Sequence, residues 1–114
     1  MKILVTGGAG YIGSVVAERL LEMGETVVIF DNLGHGHRAA VPSEAEFICG
    51  DLTDRELVGR VVGEVSPDAV AHLAAEALVG ESVREPAKFF DVNVIGGLNL
   101  LNAMRDSGVQ RLVF

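Results

Sequence analysis

The chain has 114 residues, 49% of them apolar, and carries a formal charge of −7. That length gives one domain with a real core but is short for a complete α/β enzyme. The acidic balance argues against nucleic acid and anionic membrane surfaces as partners, and no apolar run approaches the ~20 residues of a membrane span. The apolar run after Lys2 breaks at Gly7 and is no secretory leader, so a cytoplasmic setting is expected.

Lys2-Ile3-Leu4-Val5-Thr6 reads as a buried strand, β-branched, apolar and stopped by glycine. Glycines at 7, 8, 10 and 13 then suit a tight turn, close approach of backbone to a phosphate, and close packing of the next helix on the strand. That helix, about Tyr11 to Met23, should direct Ile12, Val15, Val16, Leu20 and Met23 to the sheet, with Gly24 as its stop. Its first-turn amides would face a phosphate with the positive end of the helix dipole. A second strand, Thr26 to Phe30, ends at Asp31, which lies 21 positions beyond Gly10. That is close to the spacing of a carboxylate that binds adenosine ribose hydroxyls.

Residues 32–43 read as a surface loop, and Glu46 to Cys49 as a short third strand with Cys49 a small apolar residue at its end. Thr53-Asp54-Arg55-Glu56 is a capping box that starts a helix to about Gly63, with Leu57, Val58, Val61 and Val62 inward. Ala69 to Leu73 is a fourth buried strand. Ser82-Val83-Arg84-Glu85 is a second capping-box pattern, and Pro86 suits the first turn of the longest helix, which ends near Ser107 before Gly108. Arg111 to Phe114 begins a fifth strand. This alternation predicts an α/β fold, a doubly wound parallel sheet of Rossmann type in the order 3-2-1-4-5, with the glycine loop where the order reverses.

Several residues could carry chemistry. Asp51, with Leu52, follows the third strand at the ligand-binding edge; it could accept from an adenine amino group or serve as a loop or capping aspartate. On a 100° wheel the inward face of the long helix holds Phe89, Gly96, Gly97, Leu100 and Met104, with Asn93 near its centre. Its amide needs partners, either the fourth strand's backbone or a ligand's ribose. His35 and His37 read as solvated or adenosine-packing residues and His72 as a satisfied core histidine. No metal cluster and no Ser-His-Asp or Cys-His constellation can be assembled. Tyr11 is the only tyrosine, and neither Lys2 nor Lys88 lies four residues after it.

Six stretches, in order, carry a family resemblance: Val5 to Ser14; Asp31-Asn32-Leu33 with Gly36-His37-Arg38; Gly50-Asp51-Leu52; His72-Leu73-Ala74-Ala75; Val79 to Val83; and Asn93-Val94-Ile95-Gly96. The chain resembles the N-terminal part of the extended short-chain dehydrogenase/reductases, and the Val-Gly-Glu-Ser-Val run tips it toward their sugar-nucleotide 4-epimerase branch. The resemblance implies NAD as cofactor, with its phosphates over Gly7, Gly10, Tyr11, Ile12 and Gly13 and its adenosine ribose at Asp31, Asn32 and Leu33. Adenine would lie near Asp51 and Leu52, and the nicotinamide-side ribose along Leu73, Ala74 and Ala75 near Asn93. It implies a UDP-sugar substrate for the full-length parent. A homodimer or higher oligomer is expected through the open apolar edge of the strand at Arg111 to Phe114, with Leu112 and Phe114 exposed; the family's own dimer, through helices that include the long one, is the alternative. The tyrosine-lysine pair of the family mechanism would follow Phe114. Ala77 stands where 4-epimerases commonly carry a lysine. Residues 1–114 are therefore expected to be the partial NAD-binding domain of an epimerase, without catalytic residues; another extended-family dehydratase or reductase, or an NAD-sensing module, is the alternative.

Overall fold

The computed structural model describes residues 1–114, and the order of elements follows the hydrophobic rhythm of the chain. They are β1 (Lys2–Thr6), α1 (Tyr11–Glu22), β2 (Thr26–Asp31), a 3-10 turn at Arg38–Ala40, β3 (Glu46–Cys49), α2 (Arg55–Val65), β4 (Ala69–His72), α3 (Val79–Arg84), α4 (Pro86–Phe90), a π-helical segment (Asp91–Gly96), α5 (Gly97–Asp106) and β5 (Leu112–Val113). All pairings are parallel, and the sheet order is β3-β2-β1-β4-β5, as expected. No helix is long and apolar enough to cross a membrane.

Successive side chains of a strand face opposite sides, so strands covered on both faces must be apolar at nearly every position. Leu4, Val28, Phe30 and Val70 join Val58, Val61, Val62 and Val65 of α2 and Leu100, Ala103 and Met104 of α5 in one core. Ile3, Val5, Val27 and Ile29 face the other way and pack with Ala9, Ala17 and Val41. The sheet thus carries two cores, one on each side.

The structure corrects several expected details. Ile12, Val15 and Met23 point outward; the buried residues of α1 are Gly13 and Ala17, because small residues let this helix lie close to the sheet. Cys49 ends β3 but is exposed, since β3 is an edge strand. At α2 the cap is Asp54, whose Oδ1 accepts from Leu57 N–H at 3.1 Å, while Thr53 instead donates to Asp51. Ser82 lies inside α3 with its hydroxyl donating to the Val79 carbonyl, so no second capping box forms. Pro86 does open α4 at its first turn.

The long helix is interrupted by the π-helical turn at Asp91–Gly96. A π turn holds more residues than an α turn, so it rotates everything beyond it relative to a 100° wheel. The buried face of α5 is accordingly Asn99, Leu100, Ala103 and Met104, and Asn93 is exposed. The buried amide is Asn99, whose Nδ2 donates to the Leu52 carbonyl at 2.8 Å.

Candidate functional site

β1 delivers the chain into the glycine loop at the point where the sheet order reverses. Gly7 sits at φ +75°, and a Cβ there would lie 2.6 Å from the Ala74 backbone nitrogen. A Cβ on Gly13 would lie 2.0 Å from the Gly7 carbonyl oxygen. Only glycine allows this loop, the first turn of α1 and the segment after β4 to meet. Gly10 is the N-cap of α1 and offers no side-chain bond, so the first-turn amides keep their hydrogen-bonding capacity for a ligand.

Asp31 closes the loop from the neighbouring strand. It is 8% exposed; its Oδ2 accepts from Ala9 N–H at 2.9 Å and its Oδ1 from Leu33 N–H at 2.8 Å. The second bond holds Leu33 at φ +61°, an uncommon conformation for a side-chain-bearing residue. Asn32 donates from Nδ2 to Asp51 Oδ2 at 3.0 Å and accepts from Gly34 N–H. Asp51 Oδ1 accepts from both the backbone and hydroxyl of Thr53. The Thr53 backbone bond, with help from the Thr53 and Asn32 side chains, holds the Asp51 carboxyl below its ordinary pKa.

A single cleft runs over this region, lined among others by Gly7, Gly10, Asp31, Asn32, Asp51, Leu52, Leu73, Ala74 and Ala75. Nine of the fourteen expected site residues therefore converge on one surface. Tyr11, Ile12, Gly13, Leu33 and Asn93 are not on its walls. Tyr11 and Ile12 direct exposed side chains away, Gly13 is buried against the loop, and Leu33 packs against the core beside α1.

Asn93 acts one step back from the cleft. Its Oδ1 accepts from Glu76 N–H at 2.8 Å and its Nδ2 donates to the Glu76 carbonyl at 3.0 Å. Of the two partners open to its amide, it takes backbone, but of the segment beyond β4 rather than of the strand itself.

Two further residues line the cleft: His35, expected to be solvated or to pack on adenosine, and Glu76, which sequence reasoning passed over. His35 Nε2 lies 2.8 Å from Glu76 Oε2, although the residues are 41 positions apart. Lys88 Nζ lies 3.6 Å from Glu76 and 2.7 Å from Glu81. One ligand-type nitrogen or oxygen each from His35, Glu76 and Glu81 lies within 4.8 Å of the others, a grouping not expected from the sequence, and the Lys88 ammonium supplies positive charge among them. His72 faces Thr6, Nδ1 to Oγ1 at 2.6 Å, and burial lowers its pKa. His37 is exposed, and its backbone N–H donates to the Ala9 carbonyl. Arg38 lies over the Phe47 ring, 4.7 Å from its centroid.

Residues 3–114 match a family described as the NAD dependent epimerase/dehydratase family. The chain is 54% identical over 114 residues to a UDP-glucose 4-epimerase of Streptomyces lividans, covering 99% of this chain and 35% of that protein. It superposes with a TM-score of 0.97 and 50% identity on a UDP-glucose 4-epimerase of Thermus thermophilus crystallised with NAD, across 100% of this chain and 37% of the other. A Thermotoga maritima UDP-glucose 4-epimerase with UDP-glucose gives a TM-score of 0.97 at 43% identity, with the same coverages of 100% and 37%. The chain spans about a third of the length of these relatives.

Proposed function

Because the chain belongs to the NAD dependent epimerase/dehydratase family, we propose that residues 1–114 form a domain that holds NAD, as part of a sugar-nucleotide epimerase interconverting UDP-glucose and UDP-galactose. One observation carries this reading: the glycine loop, Asp31 and the Leu73–Ala75 segment converge on one cleft at the sheet's switch point. Ligands of doubly wound sheets bind there. The residues present fit the cofactor. The absence of side chains at Gly7 and Gly10 leaves backbone open to a diphosphate, and the Asp31 oxygens, each holding one backbone donor, retain lone pairs for ribose hydroxyls.

In this reading the first-turn amides of Tyr11, Ile12 and Gly13 offset the diphosphate charge locally, within a domain whose net charge of −7 repels it. Asp31 and Asn32, shaped by the Leu33 turn, hold the adenosine ribose. Asp51 and Leu52 border the adenine. Leu73, Ala74 and Ala75 line the path of the nicotinamide-side ribose, and Asn93 fixes that segment through Glu76. Bound NAD supplies a reversible hydride acceptor for the sugar's C4. The 114 residues hold one tyrosine, Tyr11, and two lysines, Lys2 and Lys88, so they contain no Tyr-x-x-x-Lys pair to move the sugar's proton. This chain alone is therefore expected to bind without turning over.

The setting is cytoplasmic and the assembly a homodimer. Support for self-association comes from Val94, Ile95, Leu98 and Leu101, each 46–49% exposed along the long helix.

Titration calorimetry tests the assignment. NAD should bind and NADP should bind at least about tenfold more weakly, since Asp31 repels a 2′-phosphate and Arg38 is engaged with Phe47. NADP binding equal to or tighter than NAD refutes it.

A further inference from the structure

His35 and Glu76 stand on opposite walls of the cleft. His35 belongs to the loop after β2 and Glu76 to the segment after β4, and those strands flank β1 on its two sides. At about 4.8 Å per strand the two walls are separated by roughly 10 Å, and the 2.8 Å contact between the side chains closes that span. The contact therefore crosses over the carboxyl end of β1, where the glycine loop leaves the sheet. A dinucleotide running from Asp31 to Ala75 must pass this crossing.

We propose that His35 and Glu76 form a latch over the dinucleotide track, which must open for cofactor to leave and which tightens when His35 is protonated. The proposal rests on the reading of the cleft as an NAD site. Three observations carry it. The Glu76 end is fixed: both its backbone polar groups are held by Asn93, and its side chain is 9% exposed. The His35 end is open to solvent by comparison: it stands between Gly34 and Gly36 with its side chain 49% exposed. The anchoring carboxylate is held in place by Lys88, whose ammonium lies 3.6 Å from Glu76 and 2.7 Å from Glu81.

Histidine is the side chain whose charge changes between pH 5 and 8. The charged groups around His35 are Glu76 from the β4 segment, Glu81 and Arg84 from α3, Glu85 between α3 and α4, Lys88 from α4, Asp91 at the start of the π-helical segment, and Asp31 and Asp51 along the cleft. Carboxylates outnumber cations in this set, so an imidazolium is drawn to the latch position.

The test uses the 114-residue chain loaded with NADH, whose fluorescence follows release into excess NAD by stopped flow. Wild type, His35→Gln, Glu76→Gln and the double variant are compared at pH 5.5 and 8.5. At pH 5.5 each single variant should release about two- to fivefold faster than wild type, the range of a partly exposed ion pair. The double variant should be no faster than either single one, because both remove the same contact. Wild-type release should quicken as pH rises, and His35→Gln should flatten that dependence. Unchanged release in both single variants, or additive effects in the double variant, overturns the latch and leaves the NAD site standing. Failure of wild type to bind NADH overturns the site reading, and the latch with it.

Discussion

Asp31→Asn probes whether the acid that closes the glycine loop also holds the fold. The substitution keeps the side chain's shape and turns one acceptor oxygen into an NH2 donor. Both oxygens are committed, one to Ala9 N–H at 2.9 Å and one to Leu33 N–H at 2.8 Å. Whichever way the new amide turns, one backbone N–H faces a donor. If it is Ala9, which is 1% exposed, water cannot replace the lost acceptor. If it is Leu33, the turn at φ +61° loses the bond that sustains it. A hydrogen bond to a charged group contributes about 1.5–3 kcal/mol and an orphaned buried donor costs about 1–3 kcal/mol; these are two views of one loss, so about 2 kcal/mol is expected. With an unfolding entropy of about 2.1 cal/mol/K per residue, 114 residues give about 0.24 kcal/mol/K, and the melting temperature should fall by about 8 °C. Differential scanning calorimetry of the cofactor-free chain measures this directly. A shift below about 2 °C would show that Asp31 does not restrain the loop and that its two backbone bonds contribute little.

Two further predictions separate packing from propensity and fix the sign of a pH effect. Gly13→Ala should destabilise by more than about 3 kcal/mol or prevent folding, because its Cβ would meet the Gly7 carbonyl oxygen at 2.0 Å, whereas Gly59→Ala, with nothing within 4 Å in the middle of α2, should stabilise by about 0.5–1 kcal/mol; urea midpoints of the two variants check the contrast. Burial lowers the pKa of His72 from its ordinary 6.5, so the unfolded chain binds that proton more readily, and stability should decline as pH falls below about 6.5. Urea titrations at pH 7.5 and 5.5 should show a smaller decline in His72→Gln than in wild type, and an equal decline in both would exclude His72 as its source.

The elements and their order were legible because each strand is an apolar run stopped by glycine or a polar turn, and each helix carries its own period. The sheet order followed from the alternation alone. Legibility failed where a local rule met a nonlocal fact. The helical wheel placed Asn93 inside and passed over Asn99, because a wheel cannot anticipate a π turn between Phe90 and Gly97. Ile12 and Val15 read as core, but the close approach of α1 to the sheet selects Gly13 and Ala17 for the contact and turns the larger residues away. Ser82 fitted a capping pattern in a segment that was already helical. The site showed the same division. Gly7, Asp31 and Asp51 announce themselves by position relative to strands; His35 and Glu76, 41 residues apart, meet only once the sheet brings the β2 and β4 loops together. No spacing in the sequence marks that pair.

The π turn lets one rod answer to two clients. Its leading half presents Lys88 and Asn93 to the β4 segment, while its trailing half seats Asn99, Leu100 and Met104 in the core. The phase between these halves is set by the extra width of a single turn. Excising one residue from 91–96 would restore a regular spiral, and it would force the rod to choose between its clients: keep α5 seated and swing Asn93 about 100° away from Glu76, or hold Glu76 and unseat the core.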